Sequence, residues 1–151
     1  MMFSKSFGYA LRGILYVSFV GGEDRKVSIE EIAERLGVPR YFLGKVMKSM
    51  VKAGILNSSR GKSGGFFTNE NTLKTTIIKI IMLVEGQEYF NSCLLSLHKC
   101  NSSRPCPMHD KIQLFKNDLI GMYSQTTIGD LLKENMPDFI RSIAIANDAI
   151  R

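Results

Sequence analysis

The sequence is short of the features that mark exported or membrane-embedded proteins. It contains no tryptophan, four prolines and three cysteines among 151 residues. Its longest apolar stretch, Ile77 to Val84, is interrupted by Lys79 and is too short to span a bilayer. The first residues lack the charged, apolar and small-residue order of a secretory signal. We therefore expect a cytoplasmic protein that does not enter a membrane.

Acidic residues are absent from one long window of the chain. Between Pro39 and Lys62 there is none, whereas the same window holds as much positive charge as the formal net charge of the whole chain, +6. Concentrated positive charge of this kind indicates a polyanionic partner such as nucleic acid. The six cations of the window are Arg40, Lys45, Lys48, Lys52, Arg60 and Lys62.

The residues around this window have the pattern of two short helices joined by a tight turn. Ser28 and Glu31 match a capping box, which marks a helix start, and Gly37 marks the end of that helix. Pro39 suits the first turn of a second helix, which ends at Gly54. Because apolar residues recur at helical spacing in both segments, the pattern predicts a helix-turn-helix.

A basic hairpin is predicted directly after the second helix. Ile55–Leu56 and Gly65–Phe67 flank a turn rich in glycine and serine, which is typical of a β-hairpin and, at this place, of a wing. Glycines allow a backbone to approach phosphate, and an arginine such as Arg60 can enter a narrow minor groove. The wing and the second helix are therefore predicted to share one DNA-binding surface.

Ten residues are predicted to contact duplex DNA. A helix in the major groove reads base edges with its N-terminal residues and meets phosphates further along. Arg40, Tyr41 and Lys45 are accordingly the candidates for base or near-base contacts, and Gly44 allows close approach of the backbone. The full set is Ser28, Pro39, Arg40, Tyr41, Gly44, Lys45, Lys48, Arg60, Gly61 and Lys62.

The remaining segments are mostly helical in pattern. The spacing of apolar residues predicts a first helix over 4–20, a mostly apolar helix over Thr72–Glu85, and a helix from about His109 to Tyr123. The β-branched residues of Thr72–Glu85 leave part of that segment open to a strand. Thr127 to Asp130 resembles a cap before a short helix, and a last segment covers Met136–Arg151. An irregular stretch over 86–110 holds every cysteine.

The cysteines are odd in number and lie close together in the sequence, which argues against a disulfide scaffold. Cys93, Cys100 and Cys106 are followed by His109 with two residues between, and thiolate and imidazole are ligands for iron or zinc. The spacing does not select the metal, and unliganded thiols are also compatible with it. His98 is a rival to His109 as the fourth ligand.

The order of these segments resembles a known family. FGYALRGILYV, then VSIEEIAERLGVPRYFLGKVMKSMVKAGIL, then SSRGKSGGF, then a three-cysteine loop, is similar to the bacterial winged helix-turn-helix regulators of the Rrf2 type, typified by the iron–sulfur cluster regulator and the nitric-oxide-sensitive repressor. The resemblance covers roughly residues 3–135. It implies a sequence-specific transcription regulator rather than an enzyme, acting as a homodimer on a palindromic operator.

The resemblance also implies an architecture, mainly α with a small β wing and a long dimerisation helix. The DNA-binding domain would cover 1–85, the cysteine loop 86–108, and the dimerisation helix with the C-terminal segment 109–151. In this family the helix after the loop packs against a second copy. The stripe that would form the dimer interface consists of Ile112, Phe115, Leu119 and Met122.

Many members of the family, though not all, hold an iron–sulfur cluster on the loop cysteines. The resemblance implies a [2Fe–2S] cluster on Cys93, Cys100, Cys106 and His109, which a purified sample need not retain. The nitric-oxide-sensing branch draws a carboxylate from the first helix, but Gly8 stands at that place and residues 1–22 contain no acid. Two alternatives stay open. One is a clusterless member that senses a small molecule, a protein partner or thiol oxidation; the other is a zinc-stabilised adaptor protein.

Overall fold

The computed structural model describes residues 3–95, 99–134, 137–140 and 142, and confirms a mainly helical chain with one small sheet. The helices are α1 (Lys5–Val20), α2 (Ile29–Leu36), α3 (Arg40–Lys52), α4 (Glu70–Lys74), α5 (Ile77–Glu85), α6 (His109–Gln125) and α7 (Ile128–Leu132), with a 3₁₀ turn at Tyr89–Asn91. The strands are β1 (Asn57–Ser59) and β2 (Gly65–Phe67). Among the described helices, none is long and apolar enough to cross a membrane.

Helix α1 lies at the centre of the core. The Ser4 hydroxyl accepts a hydrogen bond from the Phe7 amide at 3.2 Å, and the same hydroxyl donates to Glu85 at 2.7 Å, which ties the start of α1 to the end of α5. At Gly13 the helix passes against α3, where a Cβ atom would stand 2.7 Å from the Met47 sulfur. The absent side chain therefore lets α1 and α3 approach closely.

The predicted helix-turn-helix is present. Ser28 caps α2 by accepting from the Glu31 amide at 3.2 Å, and Gly37 ends the helix in the left-handed region at φ 60°. The core faces of α2 and α3 meet as predicted, because their apolar residues repeat at helical spacing. The fully buried side chains of this contact are Ile32, Leu36, Leu43, Met47 and Met50.

One half of the predicted capping box is wrong. The Glu31 carboxylate does not accept a hydrogen bond from the backbone N–H of Ser28. One guanidinium nitrogen of Arg25 instead donates to both Glu31 oxygens, at 2.8 and 3.0 Å, and the Tyr16 hydroxyl donates at 3.0 Å. Burial, this hydrogen bond and the charge of Glu31 raise the pKa of Tyr16 above its usual value. Glu31 therefore fastens α2 to α1 and to the loop before α2.

The wing starts later than the sequence indicates. Ile55 and Leu56 are buried in the core, and the first strand is the polar segment Asn57–Ser59. It pairs antiparallel with Gly65–Phe67, with Ser58 opposite Phe66. Phe66 also exchanges two backbone hydrogen bonds of 2.8 Å with Val27, which anchors the hairpin beside the start of α2.

The helix predicted over Thr72–Glu85 is interrupted between α4 and α5, and the strand alternative applies at this break. Thr75 and Thr76 are extended and pair with the segment before α7: the Ile77 amide donates to Thr126 at 2.9 Å, and the Ile128 amide donates to Thr75 at 2.9 Å. The backbone groups around these β-branched residues therefore form hydrogen bonds with the segment before α7 rather than within one helix.

The end of the chain follows the prediction as far as it is described. Helix α6 begins at His109, and α7 has a complete capping box between Thr127 and Asp130. The packing of Phe3 against Tyr89 and Tyr123 joins α6 to the start of α1. The predicted last segment, 136–151, lies outside the described residues apart from 137–140 and 142.

Candidate nucleic-acid interface

Helix α3 and the wing face each other across an open groove of about 850 Å³. Of the ten residues predicted to contact DNA, all but Pro39 and Arg60 line this groove. Pro39 is the N-cap of α3, and Arg60 lies exposed in the turn of the wing. The residues brought together from separate segments are Ser28, Arg40, Tyr41, Gly44, Lys45, Lys48, Gly61 and Lys62.

The side of α3 opposite its buried face is positively charged. Tyr41, Lys45, Lys48 and Lys52 are all exposed. The Lys45 ammonium lies 4.6 Å from the centre of the Tyr41 ring, a cation–π contact that orients both side chains at the N-terminal end of the helix. Within the described part of the chain, no carboxylate forms an ion pair with the lysines of this face. Their charge is available to phosphate.

The wing is shaped by its glycines where the backbone needs positive φ. Gly65 has φ 152°, and a Cβ atom there would stand 2.6 Å from the Val27 carbonyl oxygen. Any side chain at this position would push β2 away from its anchor at Val27. Gly61 has φ 104° in the turn that carries Arg60 and Lys62. The hairpin therefore holds two cations at the edge of the groove.

The sequence pattern missed several residues of the groove. Ser58, Ser59, Gly64 and Phe66 line it from the wing, because the strand register places them there. Glu30 also lines it, and its carboxylate pairs with Arg40 at 2.5 Å. A search of the sequence for positive charge could not identify Glu30, because Glu30 is an acid in the first turn of α2.

The cysteine loop brings two of its four candidate ligands together. The Cys100 sulfur lies 3.3 Å from Nδ1 of His109, the first residue of α6. The Cys106 carbonyl accepts a hydrogen bond from the His109 amide at 2.9 Å, and Cys93 is buried. None of the three cysteines is in a disulfide. The rival ligand, His98, lies outside the described residues.

The loop is fastened to α6 at a second point. Lys116 is 3% exposed, and its ammonium donates to the backbone carbonyl of Ser92 at 2.6 Å. A buried ammonium is costly unless it is hydrogen-bonded, so this contact holds the start of the loop against the helix. The loop also pairs with itself, since the Cys100 amide donates to Asn91 at 2.7 Å.

The outer face of α6 carries apolar side chains that the described residues leave exposed. Phe115 is 53% exposed and Met122 is 51% exposed, while Ile112 and Leu119 are partly buried between them. Leu114, which the predicted stripe omits, is exposed as well. Exposed apolar side chains grouped on one helix are typical of a surface that another molecule covers.

The comparisons with known proteins decide the family. The family model of Rrf2, described as an iron-dependent transcriptional regulator, matches residues 3–134. This chain belongs to the Rrf2 family. A protein of Aquifex aeolicus (strain VF5), named as an HTH-type transcriptional regulator, is 37% identical over 134 residues, which are 87% of this chain and 92% of that protein. The chain is therefore a transcriptional regulator with a helix-turn-helix.

Solved structures show the same fold. CymR, the global cysteine regulator of B. subtilis, has a TM-score of 0.70 at 20% identity, with 87% of this chain and 96% of CymR covered. IscR of T. potens has a TM-score of 0.67 at 21% identity, with 89% of this chain and 88% of IscR covered. At such identities the likeness concerns the winged-helix architecture alone.

The donors of this Rrf2 protein match an iron–sulfur cluster in kind but not in arrangement. Three thiols and an imidazole are a suitable ligand set. Among the described residues, however, no group of three or more metal-binding side chains lies together, although the Cys100 sulfur lies 3.3 Å from Nδ1 of His109. The loop as described therefore does not fit a preformed cluster site, and the cluster stays a prediction.

Proposed function

We propose that this Rrf2 protein acts in the bacterial cytoplasm as a homodimer and binds a palindromic duplex operator through α3 and the wing of each copy. The single observation that carries this proposal is the groove between α3 and the wing, which gathers cations from two separate segments. We expect no catalytic activity, because the family consists of transcriptional regulators.

The groove supports duplex DNA as the ligand on geometric grounds. A helix fits the major groove, and its N-terminal residues reach base edges, which places Arg40, Tyr41 and Lys45 nearest to the bases. Lys48 and Lys52, further along α3, suit phosphates. Arg60 stands at the far edge of the wing and suits the neighbouring minor groove. Gly44 and Gly61 leave room for the backbone of the duplex.

The apolar face of α6 supports a second copy of the chain as its cover. Two winged domains joined through α6 would present two α3 helices to successive turns of the duplex, ~34 Å apart. The two-fold symmetry of such a dimer requires a palindromic operator. Burying Phe115 and Met122 would also remove apolar surface from water, which favours association.

The cysteine loop is proposed to make DNA binding respond to a signal. We propose a [2Fe–2S] cluster on Cys93, Cys100, Cys106 and His109, supported by the donor types and by the iron-dependent description of the family. The family includes members with and without a cluster. The loop contacts α6 through His109 and Lys116, so a change in the loop would reach the helix that positions the two winged domains.

The DNA proposal is tested by removing one cation from α3, one from the wing and one from the cysteine loop. Lys45→Ala and Arg60→Ala are each expected to weaken operator binding by about tenfold, since one good side-chain contact is worth about 1–3 kcal/mol. Arg104→Ala, which removes an exposed cation from the cysteine loop, is the control. Fluorescence anisotropy with a duplex selected by the protein from a randomised pool measures all three.

The α3 and wing variants are both expected to keep the thermal unfolding profile of the parent, because Lys45 and Arg60 are exposed. Unchanged operator affinity in both variants would refute the contact assignment. A loss of affinity in Arg104→Ala equal to that in Arg60→Ala would show a diffuse charge effect rather than a groove.

A further inference from the structure

An acidic residue stands inside the otherwise basic groove. Glu30 lies in the first turn of α2 and Arg40 is the first residue of α3, and their side chains form an ion pair of 2.5 Å. Both side chains stay more than half exposed, at 57% and 64%. Among the described residues that line the groove, Glu30 is the one that carries negative charge. It faces the place where phosphates of a bound duplex would come.

The fold does not need this pair. Exposed ion pairs contribute little to stability, and the buried side chains of α2 and α3 already hold the two helices together. Arg40 is also poorly placed for helix stability, because a cation at a helix N-terminus opposes the helix dipole. The first turn of α3 has no acid of its own to offset that charge. The stability of the fold therefore does not explain this pair, whereas its position in the groove does.

The pair changes how Arg40 can meet DNA. An arginine without a partner reaches any nearby phosphate, which gives affinity without sequence information. When one edge of the guanidinium is held by Glu30, its remaining N–H donors keep a fixed direction at the N-terminal end of α3. That end is the part of the helix nearest to base edges in a major groove. The carboxylate itself repels phosphates, which further penalises non-specific approach.

We propose that Glu30 is a specificity-determining residue of this regulator, which positions Arg40 for base-edge contact and limits its binding to phosphates. This inference rests on the proposed function, since it takes the groove to bind duplex DNA. It extends that function, because it assigns selectivity to an acid outside the basic helix and the wing. Selective binding then depends on the α2–α3 pair as well as on the cations themselves.

The test compares Glu30→Gln with Glu34→Gln, which removes an exposed acid from the same helix away from the groove. Two probes are used: a duplex selected by the parent protein from a randomised pool, and a shuffled duplex of the same composition. Glu30→Gln is expected to bind the shuffled duplex several-fold more tightly and to lose selectivity. Its salt dependence on that duplex steepens by about 0.9 in log–log slope, the value of one added phosphate contact. Glu34→Gln is expected to match the parent.

Arg40→Ala and the double variant Glu30→Gln/Arg40→Ala show whether Glu30 acts through Arg40. With Arg40 absent, the effect of Glu30→Gln is expected to shrink to the part that comes from repulsion of phosphate by the carboxylate, provided that thermal unfolding shows each variant folded. The inference is overturned if Glu30→Gln behaves like Glu34→Gln on both duplexes, or if its effect persists undiminished without Arg40. A parent protein that cannot distinguish the two duplexes would instead remove the proposed function, and this inference with it.

Discussion

The region formed by α2, α3 and the wing differs in construction from the region formed by the cysteine loop and α6. In the first, caps, buried side chains and strand pairing fix the elements, and the exposed side chains include the cations of α3 and the wing. In the second, apolar side chains of α6 stay exposed, and two of four candidate ligands meet. The first region is complete among the described residues of one chain, whereas we propose that the second is completed by a ligand or a second copy.

This contrast separates the two tasks of a regulator. DNA binding needs a rigid surface of preset shape, and the packing of α3 against α1 and α2 supplies one. A response to a signal needs a segment that changes when its ligand or partner changes. The described anchors of the loop on α6 include the Cys100–His109 and Lys116–Ser92 contacts.

The largest effect is expected from the cysteine loop, because a cluster is either present or lost. Anaerobic isolation is expected to yield a brown protein with visible absorption and with iron and sulfide in it. Cys106→Ala is expected to lose both colour and iron, since the cluster needs its thiolates. Iron, sulfide and zinc assays on the same sample provide the measurement.

The same assays separate the remaining interpretations of the loop. A colourless, iron-free anaerobic sample would contradict the cluster and favour a clusterless regulator. Zinc at one atom per chain without iron would instead favour a zinc-stabilised loop. Neither outcome would affect the DNA-binding groove, which lies on other elements, so the two regions can be tested separately.

The next effect is on assembly. Phe115→Asp places a charge on the exposed apolar face of α6, where a second copy would have to bury it. Burying an unpaired charge costs several kcal/mol, so dimer dissociation is expected to become about 100-fold easier or more. Analytical ultracentrifugation measures it.

Asn117→Asp is the matched control for the dimer, since it adds the same charge at another exposed position of α6. It is expected to leave the dimer intact. If Phe115→Asp stayed as dimeric as the parent and bound the operator equally well, the apolar face of α6 would not be the dimer interface.

A smaller effect is expected in the wing. Gly65→Ala forces a side chain into the Val27 carbonyl at positive φ, so unfolding should become easier by about 1–3 kcal/mol. Gly44→Ala has the opposite expectation, because no described atom lies within 4 Å of a Cβ there and alanine favours a helix by about 0.5–1 kcal/mol. Urea unfolding compares the two. Equal stability of both variants would contradict the close approach of β2 to Val27.

Local signals in the sequence were enough to predict the DNA-binding region. The cap at Ser28, the glycine at 37 and the helical spacing of Leu43, Met47 and Met50 all act within a few residues, and the structure confirms them. These local signals failed where a residue forms its hydrogen bonds with partners that are distant in the sequence. Thr75 and Thr76 leave the predicted helix to pair with the segment before α7, and Glu31 leaves its cap for Arg25 and Tyr16.

The candidate site was predictable to a similar degree. Charge and turn composition identified the cations, but they could not identify Glu30, because its role depends on the packing of α2 beside α3. The ligand set of the loop followed from spacing and resemblance. The distance between Cys100 and His109 required the structure, since an irregular loop carries no periodic signal.

The salt dependence of DNA binding tests the central claim most directly. The parent protein and the double variant Lys45→Ala/Arg60→Ala are titrated onto the selected duplex at several potassium chloride concentrations. We expect steep weakening with salt for the parent, and for the variant a shallower log–log slope, because two cations that face the duplex are removed, with affinity near that for a shuffled duplex. Equal slopes and equal affinities for parent and variant would contradict the assignment of α3 and the wing as the DNA-binding surface.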